Sequence, residues 1–318
     1  MLAPGHIARE WIGAAQRYTD QRIVAVASRS AERAQEVASD FGIERAYDSY
    51  EKLVADPDVE AVYIAAPHSE HRALALLAIS AGKHVLIEKP IAVSLAEAED
   101  IVTAARAAGV FAMEAMWTRF LPQMTVVEQL LANRDLGEVL TVSADFGALF
   151  PFDPAGRAFN PALGGGALLD IGVYPAAFAH FVLGSPQSVT ATGSLASTGV
   201  DAQAALILDY STGAQSVITT SMLVETPMAA TVSGTDARLL FPAKFLGPSD
   251  FHVIGRDGRR LDWTEPTGFG WGDGLAYQTA AVAQYVADGR TEAPRHTLDD
   301  TLAIMTVLQS ARQQLGAL

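Results

Sequence analysis

The first third of the chain switches between two hydrophobic periods. Arg22–Ala27 (RIVAVA) is a short β-branched apolar run of the kind that forms a buried strand. Ser30–Phe41 then spaces Ala34, Val37, Ala38 and Phe41 along one side of a helix. The alternation continues. Val59–Ala65 reads as a strand, Glu70–Ala81 as a helix stopped at Gly82, and His84–Ile87 as a strand. Leu95–Ala108 reads as a helix stopped at Gly109, and Val110–Glu114 as a strand. A glycine just past a helix supplies the left-handed residue that ends it. Strands alternating with helices of this length predict βαβ units and a parallel sheet.

After about Thr118 the helices drop out. Val139–Phe146, Ser188–Leu195, Ala204–Tyr210, Ala214–Thr220 and Ala229–Gly234 read as strands. Ser211-Thr212-Gly213 and Asp257-Gly258 are hairpin signals between such runs. Successive strands without crossover helices predict an antiparallel sheet. Helices over Leu275–Ala287 and Asp300–Leu315 follow it. The expected organisation is an α/β domain over residues 1–117 and an α+β domain over 118–318, with the boundary in Met116–Phe120.

Composition narrows the function. Half of the 318 residues are hydrophobic and 18% are charged, which is ordinary for a globular chain. Lys plus Arg is 22 and Asp plus Glu is 36, a net charge of −14. That balance argues against nucleic acid or an anionic membrane as the main partner. There is no Cys, which excludes disulfides, thiolate metal sites and a Cys nucleophile, and suits a cytoplasmic protein. No apolar run is expected to span a membrane, and the first residues lack a secretory pattern.

Chemistry gathers at the ends of the expected parallel strands, where open α/β sheets bind ligands. Ala3-Pro4-Gly5-His6-Ile7-Ala8 matches the last small positions of a G-x-G-x-x-G/A dinucleotide turn, with Ala3 where the first Gly belongs. Gly5, His6 and Ile7 would bring backbone to a pyrophosphate at a helix N-terminus. The next strand ends in Ser28-Arg29-Ser30. An acid there would suit the ribose of NAD; Arg29 with flanking hydroxyls suits the 2′-phosphate of NADP. Ala66, Pro67 and His71 follow the strand after that, at cofactor-contacting positions. His68 and His71 have no third ligand for a metal, and none is expected. Glu88-Lys89-Pro90 closes the His84–Ile87 strand, so Glu88 and Lys89 fall where a nicotinamide would lie; a surface pair capping a strand is the plainer reading.

Two motifs make a resemblance specific: AGKHVLIEKP, and Gly164-Gly165-Gly166-Ala167-Leu168-Leu169-Asp170-Ile171-Gly172-Val173-Tyr174-Pro175. In this order, over nearly the whole chain, they resemble the glucose–fructose oxidoreductase / inositol dehydrogenase / MocA family. Glu114-Ala115-Met116-Trp117-Thr118-Arg119-Phe120-Leu121-Pro122 is similar in particular to its dihydrodiol dehydrogenase and NADP-dependent xylose dehydrogenase branch. The resemblance implies a Rossmann domain and an α+β domain with an open, mostly antiparallel sheet. It implies hydride transfer between NADP, less readily NAD, and a carbinol carbon of a sugar, polyol or cyclic trans-diol. It also implies that Lys89 is the active-site lysine and that Asp170 and Tyr174 are the D-x-x-x-H positions, where Tyr174 replaces the His of many members, as in the dihydrodiol branch.

The chemistry of the residues agrees with those roles. Removing hydride from a carbinol needs a proton acceptor. A tyrosinate costs about 4 kcal/mol at pH 7, and a nearby ammonium lowers that cost. Asp170 and Tyr174, four apart on an expected helix Leu168–His180, share a face. Asp170 could hold a substrate hydroxyl or merely complement the helix dipole, and Tyr174 could equally be a core aromatic. Trp117, Arg119 and Phe120 could wall a substrate cleft or pack in the core. Asp153, Arg157 and Asn160 could form a cleft loop or a surface loop. His180, His252 and His296 read as structural or solvated, and Thr297-Leu298-Asp299-Asp300 as a helix cap. The rival from another class is a non-catalytic NADP-binding sensor. A homodimer or larger homo-oligomer through the open sheet face is expected, because such a face does not stay in water.

One expectation concerns the start of the chain. A Rossmann unit needs a strand before its phosphate turn, and only Met1 and Leu2 precede Ala3. The first strand therefore reads as truncated, Met1 as an internal methionine, and the central slot of the sheet as missing or improvised.

Overall fold

The computed structural model describes residues 1–317. It divides into two compact units, Met1–Phe120 with Phe269–Leu302, and Leu121–Gly268 with Ala303–Leu318. The first unit thus runs to Phe120 and reclaims a later segment that no local pattern assigns to it.

The first unit alternates α1 (His6–Tyr18), β1 (Ala25–Ala27), α2 (Ala31–Phe41), β2 (Arg45–Tyr47), α3 (Tyr50–Val54), β3 (Ala61–Ile64), α4 (His71–Ser80), β4 (His84–Ile87), α5 (Leu95–Ala108) and β5 (Ala112–Glu114). Ser30, Ser49 and Ser94 cap α2, α3 and α5, each accepting a backbone N–H of the first turn. Gly109 ends α5 at φ +65°. The pairs β1–β2, β3–β4 and β4–β5 are all parallel.

Met1 and Leu2 occupy the slot between β1 and β3. Leu2 bridges Ala27 on one side and Ile64 on the other, both in parallel. The Ala27 N–H donates to the Met1 carbonyl and the Leu2 N–H to the Tyr63 carbonyl, each at 2.9 Å. The slot is therefore filled by two residues, and β1 begins only at Ala25, level with Met1, so Arg22–Val24, expected in this strand, lie outside it. Ala3, at the first-glycine position, adopts φ +56°, a left-handed conformation that glycine enters without strain.

The second unit holds α6 (Pro122–Ala132), β6 (Val139–Gly147), α7 (Val173–Leu183), β7 (Ser188–Leu195), β8 (Asp201–Asp209), β9 (Gln215–Ser221), β10 (Ala230–Gly234), β11 (Ala237–Phe241), β12 (Phe251–Gly255) and β13 (Arg260–Trp263). Its sheet runs β13-β12-β11-β10-β6-β9-β8-β7, antiparallel except for β6 beside β9. Gly213 and Gly258, at φ +85° and +80°, turn the two expected hairpins. β11 to β13 were not expected as strands beyond the Asp257-Gly258 turn, and neither were β2 and α3. They are three to five residues long, too short for an alternation to register.

One face of the sheet is apolar and carries α7. Phe178 of α7 lies 5.2 Å from Phe245 between ring centroids, and Phe241 lies 5.2 Å from Phe251. The helical stretch Pro161–Leu183, 23 residues containing an 18-residue window of mean hydropathy 1.5, corrects the expectation that no run reaches spanning length. It is 78% buried within its unit, the placement of a core helix. Two further helices, α8 (Leu275–Ala287) and α9 (Leu298–Leu315), complete the chain. α8 covers α1 in the first unit, and the division between units falls within α9.

Candidate active site

The dinucleotide end of the first unit is built on α1. Gly5 caps this helix without a side-chain hydrogen bond, so the first N–H groups, including those of His6 and Ile7, keep their donors. An added Cβ at Gly5 would sit 3.9 Å from the Ala65 carbonyl. At the end of β1, Ser28 is buried and its Oγ accepts the Ser30 N–H at 3.3 Å. The Arg29 side chain is 73% exposed, with Glu70 4.0 Å away. Burial raises the pKa of the Tyr50 phenol, and the charges of Arg29 and Arg33 oppose the rise. Arg33 makes no ion pair among the described residues. It was not anticipated, although Ser30-Ala31-Glu32-Arg33 puts it one turn past the cap of α2. Two exposed guanidinium groups beside a phenol fit a phosphate monoester.

The turn after β4 is held by buried polar groups on three sides. Glu88 is 6% exposed; the Tyr63 hydroxyl donates to its Oε1 at 2.5 Å, and the Lys89 N–H to its Oε2 at 3.2 Å. Burial raises the Glu88 pKa, opposed by the Lys89 charge and the Tyr63 hydroxyl. The Lys89–Pro90 peptide is cis. His71 is fully buried, with Nδ1 2.9 Å from the Pro90 carbonyl and Nε2 3.0 Å from the Ala66 carbonyl. Burial pushes its pKa down, so the neutral ring donates through one nitrogen at a time. Glu114 accepts the Ile91 N–H on Oε1 at 2.9 Å. Glu88 and His71, expected as cofactor contacts, thus lie beneath the turn and brace it, because both side chains spend their polar atoms on buried partners. Ala66 and Pro67, half-buried, stay on the surface that His71 supports.

The glycine-rich motif of the second unit is a turn fitted against backbone. A Cβ at Gly165 would lie 2.7 Å from the Ala158 carbonyl, and one at Gly166, φ +124°, would lie 2.5 Å from Asp201 Oδ1. Only glycine makes both approaches. Leu168–Gly172 then forms a π-helical turn that leads into α7, where an unbroken α-helix was expected. Such turns recur at functional sites. Asp201, fully buried at the start of β8, accepts the Leu168 N–H on Oδ2 at 2.6 Å. Its pKa is pushed up to about 6 by burial, against the Leu168 and Ala167 N–H groups and the Arg312 charge. Asp170, 5% exposed at its side chain, pairs with Arg157 at 2.9 Å. Tyr174 is 8% exposed, and its ring lies 5.7 Å from that of Phe146.

Other expected residues serve the framework. Trp117, Arg119 and Phe120 are buried in the first unit. Trp117 meets Trp271 edge to face at 5.5 Å, and Arg119 Nε donates to the Arg295 carbonyl at 3.1 Å. In the loop before the glycines, Arg157 joins the site through Asp170, whereas Asp153 and Asn160 bond only loop backbone, at Ala155 and Ala162. Thr297 and Asp300 exchange the hydrogen bonds of a capping box. No group of three or more His, Asp or Glu side chains among the described residues could hold a metal. Glu114, Asp201 and His296 gave no signal as functional residues, since an isolated buried acid or histidine has no spacing to recognise.

Comparison with known proteins adds the following. Residues 3–116 match the model of an oxidoreductase family with an NAD-binding Rossmann fold, and residues 124–240 match the GFO/IDH/MocA C-terminal domain. The chain is 37% identical over 302 residues to trans-1,2-dihydrobenzene-1,2-diol dehydrogenase of Xenopus tropicalis, covering 93% of this chain and 91% of that one. It is 35% identical over 305 residues to the enzyme of that name from Mus musculus, covering 94% and 90%. A 3-ketoreductase from Actinomadura kijaniata, solved with NADP and TDP-benzene, is 28% identical with a TM-score of 0.84, covering 98% and 96%. An NAD-binding oxidoreductase from Klebsiella pneumoniae, 24% identical with a TM-score of 0.89 over 99% and 95%, shares the fold.

Proposed function

The chain belongs to the GFO/IDH/MocA oxidoreductase family, and within it we propose an NADP-dependent dehydrogenase acting on a carbinol carbon of a cyclic trans-diol, sugar or polyol. The observation that carries this reading is the joint retention of Lys89, Asp170 and Tyr174 in a chain similar to diol dehydrogenases over 93% of its length. The 3-ketoreductase solved with NADP supports the same cofactor class.

Oxidising a carbinol removes a hydride and a proton from it. Bound NADP supplies the hydride acceptor. The N–H groups opening α1 hold its pyrophosphate, and Arg29 and Arg33 pair with the 2′-phosphate. Tyr174 takes the hydroxyl proton at Oη, and the Lys89 ammonium stabilises the charge that develops on the substrate oxygen. Asp170 accepts a hydrogen bond from a neighbouring substrate hydroxyl, and Arg157 pairs with that carboxylate and fixes its position.

The active form is a homo-oligomer, a dimer or larger, through the outward face of the second unit's sheet. Thr231, Ser143, Val217, Ile207 and Thr190 lie side by side across that sheet without a charge. Val217 and Ile207 are 43% and 45% exposed. In a chain of net charge −14, an uncharged row of small and β-branched residues suits contact with a second copy. A monomer in sedimentation at micromolar concentration would remove this claim. Residence in the cytoplasm fits the absence of Cys.

The test is turnover on trans-1,2-dihydrobenzene-1,2-diol, a panel of sugars and a panel of polyols, with NADP and with NAD, followed by NADPH or NADH fluorescence. Saturable cofactor binding with no turnover on any of them would overturn the reading. Arg29→Ala is expected to raise the KM for NADP by about tenfold, the worth of a charge-assisted contact of about 1.5–3 kcal/mol, and to leave NAD nearly unchanged. Equal losses for both cofactors would mean that Arg29 does not read the 2′-phosphate.

A further inference from the structure

We propose that Glu114, backed by His296 and Thr301, is a positioning residue that fixes the main chain of the Lys89–Pro90–Ile91 turn. The proposal rests on the role given to Lys89 above.

Glu114 is the last residue of β5 and pairs in register with Ile87, the last residue of β4. Its side chain therefore lies beside the turn that β4 runs into. It is 1% exposed among the apolar residues Phe111, Ala112, Met113 and Ala115. A carboxylate is costly to bury, and an apolar residue would pack there without that cost. What the carboxylate provides is an acceptor. Oε1 takes the Ile91 N–H at 2.9 Å, and Ile91 is fully buried, so water cannot replace the bond. The carbonyl on the other end of the same peptide, that of Pro90, meets His71. The peptide following Lys89-Pro90 thus has its N–H bonded to Glu114 and its C=O against the His71 ring.

The second carboxylate oxygen explains why the chain returns to this unit. Oε2 accepts from His296 Nε2 at 2.9 Å and from Thr301 Oγ1 at 3.1 Å. These partners are 182 and 187 residues away in sequence, and His296 is 3% exposed. Their segment is hydrogen-bonded to β5 and within itself. The Ala112 N–H donates to the Thr291 carbonyl at 3.0 Å, and Ala112 bridges Glu292 in parallel. The Leu298 N–H donates to Glu292 Oε2 at 2.9 Å, and the Thr297–Asp300 capping box sets the start of α9. With both oxygens bonded, Glu114 has one orientation, and the Ile91 amide has one position. A misplacement of about 1 Å at a reacting group costs about a hundredfold in rate.

The test uses the full chain and six variants: Glu114→Ala, Glu114→Gln, His296→Ala, Thr301→Val, the Glu114→Ala/His296→Ala double and Lys89→Met. The readouts are kcat, the KM for substrate, the Kd for NADPH by fluorescence, and hydrogen exchange at the Ile91 amide. Glu114→Ala is expected to lower kcat by about tenfold or more, with the Kd for NADPH within about threefold, and to speed exchange at Ile91. Glu114→Gln keeps an oxygen for Ile91 and is expected to recover most of the rate and the protection. His296→Ala is expected to lower kcat less than Glu114→Ala and to add little to it in the double variant. A Glu114→Ala protein with kcat within about twofold of the parent, or with unchanged Ile91 exchange, overturns the proposal. If Glu114→Ala does not fold, His296→Ala and Thr301→Val decide, and full activity with full Ile91 protection in both overturns it. Lys89→Met separates the two claims. Parent activity in Lys89→Met sinks the role of Lys89 and this proposal with it. An inactive Lys89→Met beside a fully active Glu114→Ala sinks only the positioning role.

Discussion

The turn carrying Lys89 and the helix start carrying Asp170 and Tyr174 solve the same problem with different materials. Both must fix a short stretch of backbone from which a reactive side chain projects. Each uses a buried carboxylate that accepts a backbone N–H, Glu114 for Ile91 and Asp201 for Leu168. The turn adds His71 from the start of α4 and Glu88 from the turn itself, so side chains from three places in the chain brace it. The helix start adds glycines, so backbone is fitted against Ala158 and Asp201. The carboxylates differ too. Glu114 receives hydrogen bonds from both His296 and Thr301. Asp201 receives backbone N–H groups and the field of Arg312, and burial still lifts its pKa to about 6. A bracing network tolerates a change at one backbone position, whereas a fitted turn does not. A carboxylate whose pKa lies near neutrality makes its end of the site sensitive to pH.

The comparison breaks most directly at the reactive groups. Lys89→Met and Tyr174→Phe are each expected to cut kcat by two or more orders of magnitude, since acid–base steps contribute about 10²–10⁴-fold. Cofactor should still bind to both. If Tyr174→Phe keeps most of its activity, the proton moves through another group, with Asp170 first in line. Gly166→Ala sharpens the contrast in materials. The new Cβ would meet Asp201 Oδ1 at 2.5 Å at a φ of +124°. Strain and the displaced Leu168 bond together should cost about 3 kcal/mol in a denaturant titration. A loss below about 1 kcal/mol would mean that the turn relaxes and is not fitted.

The sequence shows the first site better than the second, for physical reasons. A parallel strand ending in Glu88-Lys89-Pro90 puts Lys89 at a ligand-binding edge through strand periodicity alone. Arg29 follows by the same logic at the end of β1. Tyr174 and Asp170 sit on a helix that is buried nearly all round, so no polar face marks them, and their assignment came from resemblance. The π-helical turn at Leu168–Gly172 leaves no mark in the residue pattern. The return of 269–302 to the first unit was illegible because long-range docking has no local period. Hence His296 read as an ordinary structural histidine, although it bonds Glu114. Trp117, Arg119 and Phe120 read equally as a substrate wall and as core, because aromatic and cationic side chains at a domain start serve either purpose.

The smallest expected effect tests the pH sensitivity of the second region. The Asp201 pKa rises from its ordinary value of 3.8 to about 6 on folding, chiefly through burial. The folded protein therefore binds the Asp201 proton more tightly than the unfolded chain. Between about pH 4 and pH 6 the unfolded chain releases that proton while the folded protein keeps it. Stability contributed by this group is thus present below about pH 4, falls as pH rises through the window, and levels off above it. At 1.36 kcal/mol per pKa unit the fall is about 2–3 kcal/mol. Other carboxylates titrate in the same range, so the readout is the difference between the parent and Asp201→Asn. The amide keeps an oxygen for the Leu168 N–H but has no proton to release. The stability of the parent relative to Asp201→Asn should therefore decline by about 2 kcal/mol from pH 4 to pH 7 in parallel denaturant titrations. A difference that stays flat across this range would place the folded Asp201 pKa near its ordinary value and remove the pH sensitivity of this end of the site.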